Sequence, residues 1–199
     1  ELSTICIWNK NASGMLFNHR KQLSCGLKCL SQSQRRIFPA LLEGFQALGE
    51  REAVVLYPSE PIRQVLQSFQ PSARVHLQPM GTPVAASAVL TSSGTMSMHC
   101  ALAGIPGAIA YRANPVTFWL GRRLVKVPYI GIANLLLAAP MYPEYLQQAA
   151  TPAALAAELR ACLHDPGRET ATQAHAERLR QVLHQPTSGT AADWLLQQL

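Results

Sequence analysis

The sequence predicts an α/β fold, a parallel sheet flanked by helices, and three observations carry that prediction. Short apolar, β-rich runs alternate with stretches of helical spacing, the pattern of parallel strands joined by crossover helices. The 199 residues are 48% apolar and 14% charged, which supplies one sizeable core and excludes disordered and fibrous classes. The longest markedly apolar stretch, 130–140, is far shorter than the roughly 20 residues of a membrane-spanning helix.

Strands are expected at 53–57, 74–77, 87–91, 107–111 and 129–132, each a run rich in Val, Ile, Leu, Ala or Tyr. Helices are expected at 36–48, 61–69, 96–103, 115–126, 152–164 and 170–184, with a last piece at 191–199. Pro115 and Pro152 stand where a first helical turn tolerates the missing N–H. In the first thirty residues only 5–8 reads as a strand, and the stretches 9–14 and 25–29 have no clear period. The tail after Gln147 is helical rather than low-complexity, and no repeat of solenoid length is present.

Charge is informative through its placement. The net charge is +6, yet no Asp or Glu occurs between Glu60 and Glu144, while Arg63, Arg74, Arg112, Arg122, Arg123 and Lys126 do. Such a basic middle suits a phosphate or pyrophosphate, an anionic membrane face or, less well, nucleic acid; a solvated basic face is the plain alternative. With Asp165 and Asp193 the only aspartates, a central carboxylate metal site is not expected. The five cysteines are odd in number and scattered, which fits reduced thiols in a cytosol. Glu1 in place of Met fits a start inside a longer chain, and no basic region followed by an apolar one suggests a signal peptide.

The turn Thr91-Ser92-Ser93-Gly94-Thr95 follows an apolar strand and opens a helix, at the sheet edge where α/β folds bind ligands. Gly94 permits close backbone approach, Ser93 or Thr95 can cap, and first-turn N–H groups make an anion site. Taken alone, this turn reads first as an ordinary helix cap.

The continuation changes that balance. After Ser93-Gly94-Thr95 come Met-Ser-Met-His99, then Tyr111-Arg112-Ala-Asn-Pro-Val-Thr-Phe-Trp119-Leu, then Arg123-Leu-Val-Lys126-Val-Pro-Tyr129, and Asn134-Leu-Leu. This resembles the C-terminal half of the lipid-A-disaccharide synthase family, which carries S-G-T-A-T-L-E, Y-R-x-N-P-x-T-x-W-L, R-L-V-K-x-x-Y and P-N-L in this order. The likeness covers about 75–147, and 37–43 resembles that half's first helix.

The resemblance implies a GT-B glycosyltransferase of two Rossmann-like halves, of which this chain is mostly the C-terminal, UDP-binding one. It implies a Rossmann-like donor-nucleotide domain over 31–150, closing helices over 151–199, and a poorly defined segment over 1–30. The implied reaction moves 2,3-diacylglucosamine from UDP to 2,3-diacylglucosamine 1-phosphate, with no cofactor and no metal. The implied donor contacts are Ser93, Gly94, Thr95, His99, Tyr111, Arg112 and Asn134. On the residues alone, Arg112 also reads as a surface ion pair and Asn134 as a turn residue. No catalytic residue is expected on this half, because the base that deprotonates the acceptor must face the donor across the cleft.

Implied partners are the UDP-diacylglucosamine donor, an N-terminal acceptor-binding half, a second copy in a homodimer, and the anionic inner-membrane surface on the cytoplasmic side, without nucleic acid. The helix with Phe118, Trp119, Arg122, Arg123 and Lys126 reads either as packed on the sheet or as lying on that membrane. His76 and Cys100 read as packing residues. Without a second half, the apolar faces of 152–164 and 170–184 are expected to be exposed.

Three departures stand out. His99 replaces the family's Glu, no faithful L-P-G-S-R precedes the first helix, and Ala138-Ala139-Pro140 stands where Gly-Arg-Glu is usual. A non-catalytic relative used for binding or assembly is therefore the alternative function.

Overall fold

Alternate residues of the central strands are buried on opposite sides, which requires helices on both faces of the sheet. In the computed structural model residues 4–8, 27–92, 94–124, 127–185 and 189 are described, those at 4–8, 27–34, 117, 120–122 and 124 by backbone alone. The described strands are β1 (Thr4–Trp8), β2 (Ala53–Tyr57), β3 (Val75–Pro79), β4 (Ala86–Thr91), β5 (Gly107–Tyr111) and β6 (Glu144–Leu146), in sheet order β3-β2-β1-β4-β5-β6. The helices are α1 (Leu27–Gln46), α2 (Glu60–Gln67), α3 (Thr95–Leu102), α4 (Pro115–Leu124), α5 (Ile132–Leu137), α6 (Pro152–His164) and α7 (Pro166–His184). This is a Rossmann-like α/β arrangement, as the alternating pattern predicts.

One core joins Ala53, Val55, Leu90, Ala108 and Ala110 of the sheet to Phe38, Leu41 and Phe45 of α1, Leu66 of α2 and Leu155 and Leu159 of α6. The opposite core joins Val54, Leu56, Val89 and Ile109 to Cys100 of α3, Leu137 of α5 and Leu179 of α7. The apolar faces of α6 and α7 are thus buried against this domain itself, contrary to the expectation that they lie exposed. Cys100 packs as expected, whereas His76 is exposed on the edge strand β3.

The pairs β2–β3, β4–β5 and β5–β6 are parallel, but β1 runs antiparallel between β2 and β4, with Thr4 opposite Leu56 and Ile5 opposite Leu90. The sheet is therefore not wholly parallel. The slot between β2 and β4 demands an apolar strand, and Thr-Ile-Cys-Ile-Trp fills it in the orientation whose pairing is slightly the stronger.

Other boundaries move for local reasons. Residues 129–132 form no strand: Gly131 leads into α5, whose Ala133 and Leu137, one turn apart, are both buried. The strand beside β5 is instead β6, three half-buried residues too short to signal itself. Helix α1 begins at Leu27 and runs through Pro39, at the loss of one backbone bond. Helix α7 begins at Pro166, because the Asp165 carboxylate accepts from the Gly167 N–H at 2.9 Å. The expected helix at 191–199 lies outside the described residues.

Below the sheet, Arg168 joins α7 to its neighbours. Its guanidinium donates to Glu158 at 2.8 Å, to the Gly107 carbonyl at 2.9 Å and to the Met141 carbonyl at 3.3 Å. Burial, then the Glu158 carboxylate, pushes the Cys162 thiol up to about 12 from 9.0. The same two causes take the Tyr145 hydroxyl from 10.0 to about 12. Both groups fold in the neutral form, so their contribution is complete below the unfolded values and is lost as pH rises through the folded ones. Circular dichroism against pH is expected to show unfolding between pH 9.0 and about 12. Peptide mapping after alkylation in mildly alkaline buffer should find Cys162 unmodified in the folded chain.

Candidate functional site

In a sheet of this strand order the succession reverses between β1 and β4, and ligands of such folds sit there, at the carboxyl edge of the parallel strands. Strand β4 ends there in buried Thr91 and Ser92, with the Thr91 hydroxyl donating to the Ser92 carbonyl at 3.0 Å. Gly94 follows at φ 136°, ψ −170°, a conformation that a side chain makes costly, and among the described residues no atom beyond its chain neighbours lies within 4 Å of the place a Cβ would take. Gly94 is the N-cap of α3 and brings no side chain to cover the first-turn N–H groups, while the Ser97 hydroxyl donates back to its carbonyl at 2.6 Å. The positive end of the α3 dipole thus stands at this edge, led by a residue without a side chain. Ser93 lies outside the described residues.

Ser92 is 3% exposed and its Oγ has no hydrogen-bond partner among the described residues. The Ser59 Oγ, between β2 and α2, is in the same state. These two hydroxyls flank β1 on either side at the ligand edge. A buried polar atom left unpaired costs about 1–3 kcal/mol, so such atoms mark places where a ligand or water completes the bonding.

The structure brings Gly94, Thr95, His99, Tyr111 and Arg112 to the ends of the adjacent strands β4 and β5. Thr95 is exposed, and half-buried His99 stands one turn on along the same face of α3. Tyr111 ends β5, paired with Leu146 of β6. Arg112 departs from its expected part as a phosphate ligand: its guanidinium donates to the carbonyls of Ala150 at 2.7 Å, Gln147 at 3.2 Å and Arg36 at 3.4 Å.

Asn134 also departs from expectation. It is fully buried; its Nδ2 donates to the Tyr142 carbonyl at 2.7 Å and to Glu144 at 2.9 Å, and its Oδ1 accepts from the Tyr142 N–H at 3.0 Å. Its amide is committed inward and positions the chain rather than facing a ligand. Glu144 is the residue that sequence reasoning missed. Its carboxylate accepts from the N–H groups of Ile130 and Gly131, both at 2.9 Å, and from Asn134. A Cβ at Gly131 would meet the Cδ1 methyl of Ile109 on β5, so that side chain would have to turn aside. The available signal was that Glu144 ends the acid-free stretch.

Residues 52–199 match the family model of lipid-A-disaccharide synthetase. The chain belongs to that family. It is 40% identical over 122 residues to the lipid-A-disaccharide synthase of Sodalis glossinidius, covering 60% of this chain and 32% of that protein. Against the Geobacter metallireducens synthase it is 33% identical over 162 residues, 74% of this chain and 41% of that protein. The chain thus spans roughly a third to two-fifths of these curated relatives.

The family's L-P-G-S-R segment has no counterpart at the ligand edge among the described residues, where β1 presents its beginning and not its end. Ala138, at the position of a family glycine, holds φ 50° as the C-cap of α5. Glycine carries no strain in that conformation.

Two outcomes follow for stability in urea. Asn134→Ala strands both backbone groups of buried Tyr142 and is expected to cost about 2–4 kcal/mol, against about 1 kcal/mol for Glu144→Gln. Ala138→Gly is expected to stabilise the chain by about 1 kcal/mol.

Proposed function

We propose that this chain is the donor half of a lipid-A-disaccharide synthase, binding the UDP of UDP-2,3-diacylglucosamine for sugar transfer to 2,3-diacylglucosamine 1-phosphate. The observation that carries this is the Gly94-led N-terminus of α3, standing at the reversal of strand order in a member of this family. Its N–H groups and dipole offset the charge of the departing pyrophosphate without a metal ion. The Ser93–Thr95 turn lies against the phosphates, and His99 and Tyr111 lie against the nucleoside. Arg112 and Asn134 serve by holding the edge in place.

The acceptor hydroxyl and the base that takes its proton belong to a second half facing this edge, so this chain alone binds donor without turnover. The surface of α4 supports contact with an anionic inner membrane from the cytoplasmic side. Val116 is 73% exposed, Trp119 is 57% exposed, and the Arg123 guanidinium lies 4.6 Å from the Trp119 ring centroid. Among the described residues no helix is long and apolar enough to cross a membrane. A second copy of the chain remains a further partner.

Calorimetric titration with UDP is expected to give saturable binding at micromolar to low millimolar concentration. His99→Glu, which restores a bidentate acceptor for ribose hydroxyls, is expected to tighten it about tenfold. Absence of UDP binding in both chains overturns the proposal and favours a relative that has kept the fold for binding or assembly. Sugar transfer by the isolated chain overturns the assignment of the base to another half.

A further inference from the structure

Gln147 combines three unusual features. It sits at φ 52°, in the left-handed region that a glutamine enters only when its surroundings impose it. Its carbonyl is held at 3.2 Å by Arg112, whose other nitrogens grip the carbonyls of Ala150 and Arg36. Its side-chain Nε2 is buried without a hydrogen-bond partner among the described residues. A strained backbone, a clamp that enforces it and an unmet donor on one residue are hard to account for as packing, since glycine would relieve the first and the third together.

The position of Gln147 indicates what it meets. It follows Leu146, whose partner across the sheet is Tyr111, so Gln147 and Arg112 emerge side by side at the ligand edge. Strand β6 lies two places from β4, roughly 10 Å from the turn at Gly94 by ordinary strand spacing. With phosphates at the Gly94 turn, as the donor-half reading has them, that offset falls at the groups attached to them.

We propose that Gln147 is a donor-recognising residue whose Nε2 hydrogen-bonds an acceptor oxygen of the nucleotide sugar outside its pyrophosphate, and that Arg112 is the positioning residue that holds it there. The proposal rests on the donor-half reading above and adds to it a recognition residue and the reason for the Arg112 clamp. The oxygen belongs either to the uridine or to the hexosamine, both of which offer carbonyl or hydroxyl acceptors.

The decisive variant is Gln147→Gly, which removes the amide and suits the backbone. Its melting temperature is expected to equal or exceed that of the parent, while its affinity for UDP-N-acetylglucosamine falls about fivefold, the scale of one hydrogen bond. A purely structural residue would show neither of these together. Titration with UDP separates the two sources: a loss shared with UDP assigns the oxygen to uridine, and a loss confined to the sugar nucleotide assigns it to the hexosamine. Arg112→Ala is expected to weaken binding in the parent, and to add nothing to that loss in the Gln147→Gly background although it still lowers the melting temperature.

Affinities for both nucleotides within twofold of the parent overturn the role of Gln147 and leave the donor-half reading intact. An equal loss for inorganic pyrophosphate overturns the placement of the oxygen outside the phosphates. A parent chain that binds neither nucleotide overturns both readings at once.

Discussion

The carboxylate of Glu144 is the fixed point on which the upper right of the sheet depends. It belongs to β6, yet it accepts from the N–H groups of Ile130 and Gly131 and from the Asn134 amide, so it ties the edge strand to the helix that crosses over it. Asn134 then passes the constraint to both backbone groups of Tyr142, just before β6 begins. Strand β6 is only three residues long and could not hold its register through its own ladder. Register matters because Leu146 must meet Tyr111 for Arg112 and Gln147 to emerge together.

The same carboxylate decides where an anion can bind. Helix N-termini attract negative charge, and α5 has already met that demand internally through Glu144. Helix α3 has a glycine cap and no acidic residue in its first turn. Its neighbourhood also lies in the acid-free middle of the sequence. The charge pattern and the capping pattern therefore favour the N-terminus of α3 over that of α5, and it is the one beside the reversal of strand order.

Much of this was legible in the sequence. The β4 turn could be located because Val89, Leu90 and Thr91 form an apolar run that breaks at Ser-Gly-Thr, and local propensity and tertiary role agree there. Helix α6 was readable to its exact ends because Thr151 and Pro152 mark its start by local chemistry. The direction of β1 was not legible, since an apolar pentapeptide carries no mark of parallel or antiparallel pairing. Nor were the inward turn of Asn134 and the clamp made by Arg112: an amide or a guanidinium serves a ligand and a backbone carbonyl with the same atoms, and only the fold tells which is within reach.

Of the departures from the family pattern, His99 lies on α3 at the ligand edge, whereas Ala138 is the C-cap of α5, ahead of the start of β6. The two cores on the faces of the sheet remain continuous and apolar. This separation has a physical basis. Leu41, Leu66, Leu90, Ile109, Leu155 and Leu179 hold the domain together through buried area and take no part in meeting an anion. Residues of the edge contribute little to those cores, so replacing Glu by His at 99, or Gly by Ala at 138, costs binding strength or a local increment of strain and leaves the topology standing.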